Sequence, residues 1–393
     1  MVLQHLFLAL GQLWLRACVS ASLRLTFQNF LIILRTGLNA VVWRLDEYLD
    51  SEKDLVSKHI ITRNQPWSDT TLLTSEMQSD CIAACLAQHG CKDITDRVNM
   101  RQNDRHVFTR GGFGTIYRGV LDDGQSVAIK CIESFDDHED PEHGKNMKRA
   151  AREIYVWSHC NHQGILPVLG FARYQGQMAL IAPWRDAGPL KQHILRGSLR
   201  APLRTCIQLV VAVEYLHMNG IVHGDIKPDN DLITDQGEAQ LADFGSATLT
   251  RTNALNFTNT NSFNFTIRFA APEVLGEESR ASTKESDIYA LGMVRANIMS
   301  GQLPFSDKPA PSFINAVIIM KEQPPRPNFD KTLHGDVAKD EIWNLLRRCL
   351  THAPKGRPKV EEVKGALIKI VKLNDRPRGE VDSDARNDFC FDM

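Results

Sequence analysis

The chain has no excess of either charge: Lys plus Arg number 46 against 47 Asp plus Glu, a formal net charge of −1. Nucleic-acid binders neutralise phosphates with clustered basic groups, so this balance excludes a broad electrostatic footprint of that kind. Nine cysteines are scattered without paired C-x-x-C motifs. A zinc site therefore lacks its usual spacing, and the scatter fits reduced thiols inside a cell. The tightest group, Cys81, Cys85 and Cys91 with His89 alongside, reads as cysteines packed on a helix flank. There is no internal repeat and no low-complexity tract.

Acidic residues are missing from residues 1–45, which carry arginines at 16, 24, 35 and 44 among Leu, Phe, Trp and Val. No apolar run there reaches the roughly 18–20 residues of a membrane span. No basic residue precedes "LFLALGQLWL", so a secretory signal is poorly formed. An amphipathic helical extension packed on a folded domain is the preferred reading. Targeting to an organelle or association with a membrane stays open as the alternative.

What the chain does contain begins with a change of pattern near Arg105. Residues 1–104 are expected to form a helical N-terminal extension of unknown function. "HVFTRGGFGTIYRGVL" and "QSVAIKCI" alternate in polarity and are rich in β-branched residues, with the turn signal "DDGQ" between them. A helix, "NMKRAAREIYVWSHC", and two more short apolar runs follow. The pattern predicts five strands with one helix between the third and fourth, then a mostly helical region to about residue 372. The fold class is α+β in two lobes, a small antiparallel sheet lobe at about 105–182 and a larger helical lobe at about 186–372. Residues 373–393 are charged and expected to be a disordered tail.

The candidate site residues fall in this region. Gly111, Gly112 and Gly114 lie between two strand-like runs, where bare backbone can approach a phosphate and donate N–H groups. Lys130 ends the apolar run "SVAIK". A lysine emerging from a buried strand needs an anion, and Glu153, 23 residues later, is available. "IVHGDIKPDND" brings Asp225, Lys227 and Asn230 together, and Asp243 follows 18 residues after Asp225. Asn230 and Asp243 are hard oxygen donors suited to Mg²⁺. Asp225 is placed to accept a hydroxyl proton and Lys227 to balance charge on a transferring phosphoryl group.

With these residues the sequence resembles the eukaryotic protein kinase family over roughly 105–372. Eight motifs occur in order: "GGFGTIYRG", "VAIK", Glu153, "HGDIKPDN", "DFG", "APE", Asp287 and Arg357. The run "REIYVWSHCNHQGILPVLGF" is similar to the tyrosine-kinase-like serine/threonine group, and Lys227 and Thr266 look like the serine/threonine pattern. The resemblance implies ATP and Mg²⁺ as cofactors and a protein substrate phosphorylated on Ser or Thr, with no nucleic-acid partner. It implies Ile116 and Ala128 as the roof over adenine and Leu232 as its floor. Ala182 would be a small gatekeeper, and the backbone of Arg185 would bond the adenine edge. It also implies that Arg357 pairs with Glu273. The complete "APE" segment shapes a peptide groove in that family, which disfavours a small-molecule kinase.

Three positions depart from the family pattern. Gly224 stands where an arginine usually docks a phosphorylated activation segment, so activity is expected not to require that phosphorylation. Thr109 replaces the first loop glycine, and since a β-branched residue tolerates positive φ badly, weaker ATP affinity is expected, with the two glycines nearest the phosphates kept. Asp231 replaces a branched aliphatic residue, so a buried carboxylate there needs a partner or a proton. A catalytically weak or inactive pseudokinase acting as a scaffold is the alternative these departures leave. The sequons at Asn256 and Asn264 lie inside the activation segment, where glycans would obstruct the substrate groove. They are read as unused and the protein as cytoplasmic.

Overall fold

The computed structural model describes residues 71–73, 79–99, 107–111, 114–131, 141–175, 177–249, 255–257, 267–276 and 282–374. Gly112, Asn264, Thr266, residues 1–70 and the tail 375–393 lie outside the described residues.

The strand-like runs form a five-stranded antiparallel sheet from β2 (Val107–Gly111), β3 (Gly114–Val120), β4 (Ser126–Cys131), β5 (Gly170–Tyr174) and β6 (Gln177–Pro183), in the order β2-β3-β4-β6-β5. Among the described residues, the one helix between the third and fourth of these strands is α2 (Pro141–Ser158), matching the sequence pattern. Alternation then sorts the side chains. Ile116 pairs with Lys130 and Ala128 with Ala182, so these four share the inner face. Tyr117, Val127, Ile129 and Ile181 take the outer face.

That outer face is covered. Of the stretch read as a helical extension, the described part holds one α-helix, α1 (Ser79–Gln88), a 3-10 turn at Thr95–Arg97 and the strand β1 (Thr71–Leu73). From Cys91 to Asn99 the chain crosses the sheet, extended except for that single turn. Ile94 and Val98 enter a separate small core with Leu121, Val127, Ile129, Ala172 and Ile181. At one edge Phe171 N–H donates to the Lys92 carbonyl at 2.8 Å and Ile94 N–H to the Phe171 carbonyl at 2.9 Å. At the end of β3, Asn99 N–H donates to the Val120 carbonyl at 3.0 Å. A Cβ at Gly170 would overlap the Lys92 carbonyl oxygen and meet Ile94 at 3.1 Å, so only glycine admits this approach. Cys85 and Cys91 are buried thiols of the main core, and no metal-holding group of three or more His, Cys, Asp or Glu occurs among the described residues.

The helical lobe is built around α6 (Lys284–Ser300), which is buried from Ser286 to Met299, the polar Asp287, Arg295 and Asn297 included. A capping box between Thr283 and Ser286 fixes its start. It packs against α4 (Pro202–Met218) and α8 (Asp336–Cys349), with α9 (Val360–Asn374) closing over α4 and α8. Shorter elements complete the lobe: α3 (Leu190–Arg196), β7 (Ile221–Val222), β8 (Asp231–Ile233), β9 (Ala239–Leu241), β10 (Thr248–Leu249), α5 (Pro272–Leu275) and α7 (Ala310–Ile318). β11 (Leu255–Phe257) pairs in parallel with β1, Thr71 opposite Leu255 and Leu73 opposite Phe257. Among the described residues no helix is long and apolar enough to cross a membrane.

One buried ion pair ties α5 to the turn before α9. Arg357 Nη1 and Nη2 donate to the two Glu273 carboxylate oxygens, each at 2.7 Å, while Tyr289 lies under the guanidinium at 5.0 Å. Removing one partner strands the other charge in a dry site, which costs about 3–5 kcal/mol. Arg357→Met is therefore expected to lower stability by about that much, and Arg357→Met with Glu273→Leu to recover a large part of it. Urea denaturation midpoints check this; a double variant as unstable as the sum of the singles contradicts it.

Candidate active site

The inner face of the sheet ends in Lys130, whose ammonium is nearly buried. It donates to Glu153 Oε1 and to Asp243 Oδ1, both at 2.7 Å. Burial opposes the charge, but the Asp243 and Glu153 carboxylates outweigh it and raise the lysine pKa. Burial pushes the Glu153 carboxyl up to about 7, with Lys130 pulling the other way. Asp243 is half-buried, which raises its pKa, yet Lys130 holds it below the ordinary carboxylate range. Its backbone is left-handed, φ +65°, and its carboxylate also accepts from Gly245 N–H at 3.3 Å.

A second cluster forms on the loop between β7 and β8. Lys227 Nζ donates to Asp225 Oδ2 at 2.7 Å. Asn230 Nδ2 donates to the same carboxylate at 3.0 Å and to the Asp225 carbonyl at 2.9 Å. Burial raises the Asp225 pKa and Lys227 opposes it; the Asp243 charge adds to the rise, which puts the two clusters within electrostatic reach. The β8–β9 hairpin brings them together: Asp231 pairs with Leu241, and Ala242 N–H donates to the Asn230 carbonyl at 2.8 Å.

Asp287 holds the loop. From the first turn of α6, where the helix dipole favours an anion, it accepts from His223 N–H and Gly224 N–H, each at 2.9 Å, and from His217 Nε2 at 2.9 Å. Gly224 has φ +79°, and a Cβ there would come within 2.8 Å of the Ser246 carbonyl oxygen. The arginine expected at that position from the resemblance does not fit this backbone. Burial lowers the His223 pKa, with Asp287 opposing.

The other predicted residues are distributed as follows. Ile116, Ala128 and Ala182 line the inner face, Leu232 sits half-buried on β8, and Arg185 follows β6. The Arg185 carbonyl accepts from Gly188 N–H at 3.0 Å, and its guanidinium bonds Gln240 at 2.8 and 3.1 Å. Gly111 and Gly114 pair across the β2–β3 turn. Thr109 corrects an expectation: it lies in β2 opposite Ile116 and is absent from the positive-φ residues, so an extended strand replaces the expected strain. Sequence reasoning missed Trp157. Its ring packs on Phe244 at 5.2 Å, and Phe244 on His223 at 5.0 Å, an aromatic column from α2 to the Asp225 loop. The signal was its position four residues after Glu153, on one helical face.

Asn230 and Asp243 fit Mg²⁺. Asp243 is held ionised, Asn230 supplies an amide oxygen, and a site with two protein ligands leaves room for the waters and phosphates Mg²⁺ prefers. Asp231 fits nothing comparable. It is fully buried, neither carboxylate oxygen has a hydrogen-bond partner among the described residues, and burial, with Asp229 adding, raises its pKa well above the ordinary value.

A family model described as the protein kinase domain matches residues 103–366. The chain is 30% identical over 291 residues to calmodulin-binding receptor-like cytoplasmic kinase 3 of Arabidopsis thaliana, covering 68% of this chain and 54% of that protein. It is 28% identical over 301 residues to receptor-like kinase TMK4 of the same plant, covering 71% of this chain and 31% of that one. A probable serine/threonine-protein kinase, gdt2 of Dictyostelium discoideum, is 26% identical over 281 residues, covering 69% of this chain and 16% of its own length. The chain thus spans about half or less of these relatives' lengths.

Asp231 yields a pH prediction. Its folded pKa is raised, so between the unfolded value and the folded one the native state keeps a proton the unfolded state releases. Stability from this group is therefore present at low pH and lost as pH rises. Asp231→Val is expected to stabilise by about 1–3 kcal/mol near neutrality, less at pH 4.5. Denaturation curves across that range check it; a variant less stable than the native chain shows that the carboxylate has a partner.

Proposed function

The chain belongs to the protein kinase family, and from that premise we propose that it is an ATP-dependent serine/threonine kinase that transfers the γ-phosphoryl group to a protein hydroxyl. The supporting observation is the Lys130 ammonium bonded to both Glu153 and Asp243 beside the Asp225–Lys227–Asn230 cluster. Phosphoryl transfer requires chiefly positioning and electrostatic stabilisation, and this arrangement fits both needs. Lys130 orients the α- and β-phosphates, and Glu153 holds Lys130. Asp225 accepts the proton of the incoming hydroxyl, and Lys227 balances charge on the moving phosphoryl group. Gly111, Gly112 and Gly114 cover the phosphates, and the adenine lies between Ile116 and Ala128 above and Leu232 below, past Ala182 and the Arg185 backbone. Asn230 and Asp243 hold Mg²⁺, which neutralises phosphate charge when bound.

Two observations support independence from activation-segment phosphorylation. Gly224 offers no cation for a phosphate, and β11 of that segment pairs by backbone bonds with β1. Buried free thiols support a reducing, cytoplasmic setting. The unpartnered Asp231 is the one observation favouring a non-catalytic scaffold; the unstrained Thr109 removes its other support.

Asp225→Asn is expected to keep a thermal shift with Mg·ATP while losing about a hundred- to ten-thousand-fold in turnover on a generic basic protein. Changing every Ser and Thr between 246 and 260 to Ala should leave turnover in place. Loss in that variant, restored by acidic substitutions, contradicts the phosphorylation-independent reading.

A further inference from the structure

Resting on the kinase reading, we infer that residues 79–99 are a positioning element for the Lys130–Glu153 pair, with Leu86 and Gly170 as positioning residues. The segment packs on the elements that carry both halves of that pair. Its helix α1 packs on α2, which carries Glu153. Ile82, Cys85 and Leu86 are buried in the main core, as are Ala151, Ile154 and Tyr155 of α2. The His89 ring meets the edge of Tyr155 at 6.5 Å between centroids, and Asp80 bonds Arg173 of β5 at 2.7 Å.

The extended stretch then crosses the outer face of the sheet. Ile94 and Val98 cover Val127 and Ile129, the residues that alternate with Ala128 and Lys130 along β4. Backbone bonds fasten it at Phe171 on the edge strand β5 and at Val120 at the end of β3. One continuous segment therefore fixes α2 relative to β4. The reach it governs is short, 2.7 Å from Lys130 Nζ to Glu153 Oε1. A hydrogen bond of this kind is lost with an ångström of outward movement of α2, and displacements of that size cost catalysts about a hundredfold.

Gly170 is the point where the segment can be lifted without touching the cleft. It stands on β5, its missing side chain admits the Lys92 carbonyl, and it lies outside the proposed catalytic set. Leu86→Ala loosens the helical end of the same segment.

The test is a pair of double-mutant cycles on the full chain, measuring kcat/KM for ATP. Leu86→Ala and Gly170→Ala are each made in the native background and in Glu153→Gln. If the segment acts through Glu153, each lowers the value about tenfold in the native background and less than about twofold beside Glu153→Gln. Leu86→Met should retain the native value. Amide exchange should quicken in residues 141–158 and stay unchanged in residues 202–218. Equal losses in both backgrounds mean a structural role only and overturn the inference, as does an unchanged rate in the native background. If Leu86→Ala does not fold, Gly170→Ala and its exchange pattern decide alone. A native chain that neither binds Mg·ATP nor transfers phosphate defeats the kinase reading instead, and exchange in residues 141–158 then decides the positioning claim by itself.

Discussion

A single buried ammonium organises the small lobe. Lys130 arrives on an apolar strand and is stable as a cation only because carboxylates from two other elements reach it. One comes from α2 and the other from the turn after β9, so satisfying one charge fixes three pieces of chain together. The arrangement also keeps Asp243 ionised although it is half-buried. Electrostatic necessity, rather than local propensity, thus holds the groups that a phosphate and its metal would meet.

The large lobe has a counterpart in Asp287. Its two oxygens take the N–H groups of His223 and Gly224 and the ring of His217. Fixing successive peptide groups to a rigid, buried helix sets the direction in which Asp225 projects. The glycine at 224 suits the left-handed backbone that this anchoring demands. The same choice removes the cation that would hold a phosphate, so backbone geometry and the loss of a docking charge are two results of one substitution.

Much of the site was legible in the sequence because its residues lie in short runs whose spacing is set by a single loop. Asp225, Lys227 and Asn230 fall within six positions, and Asp243 is one hairpin away. Lys130 and Glu153 were readable because a lysine closing an apolar strand requires a nearby acid. The five-strand pattern was equally open to reading, since alternation and turn residues agreed. Other features depended on tertiary contacts that carry no local signal. The covering stretch 91–99 has neither helical nor strand periodicity, because its apolar residues answer to the sheet beneath it. The backbone at Thr109 could not be read from its residue type because its φ is fixed by pairing with Ile116. Whether Asp231 had a partner depended on what surrounds it in the core, and nothing there accepts its proton or its charge.

The missing side chain at 170 serves as a marker. The Lys92 carbonyl occupies the space that any larger residue would claim. In a related chain, alanine or valine at the matching position would indicate that the preceding segment is seated elsewhere or is not there at all. One residue type therefore lets this coverage of the sheet be traced among relatives from sequence alone.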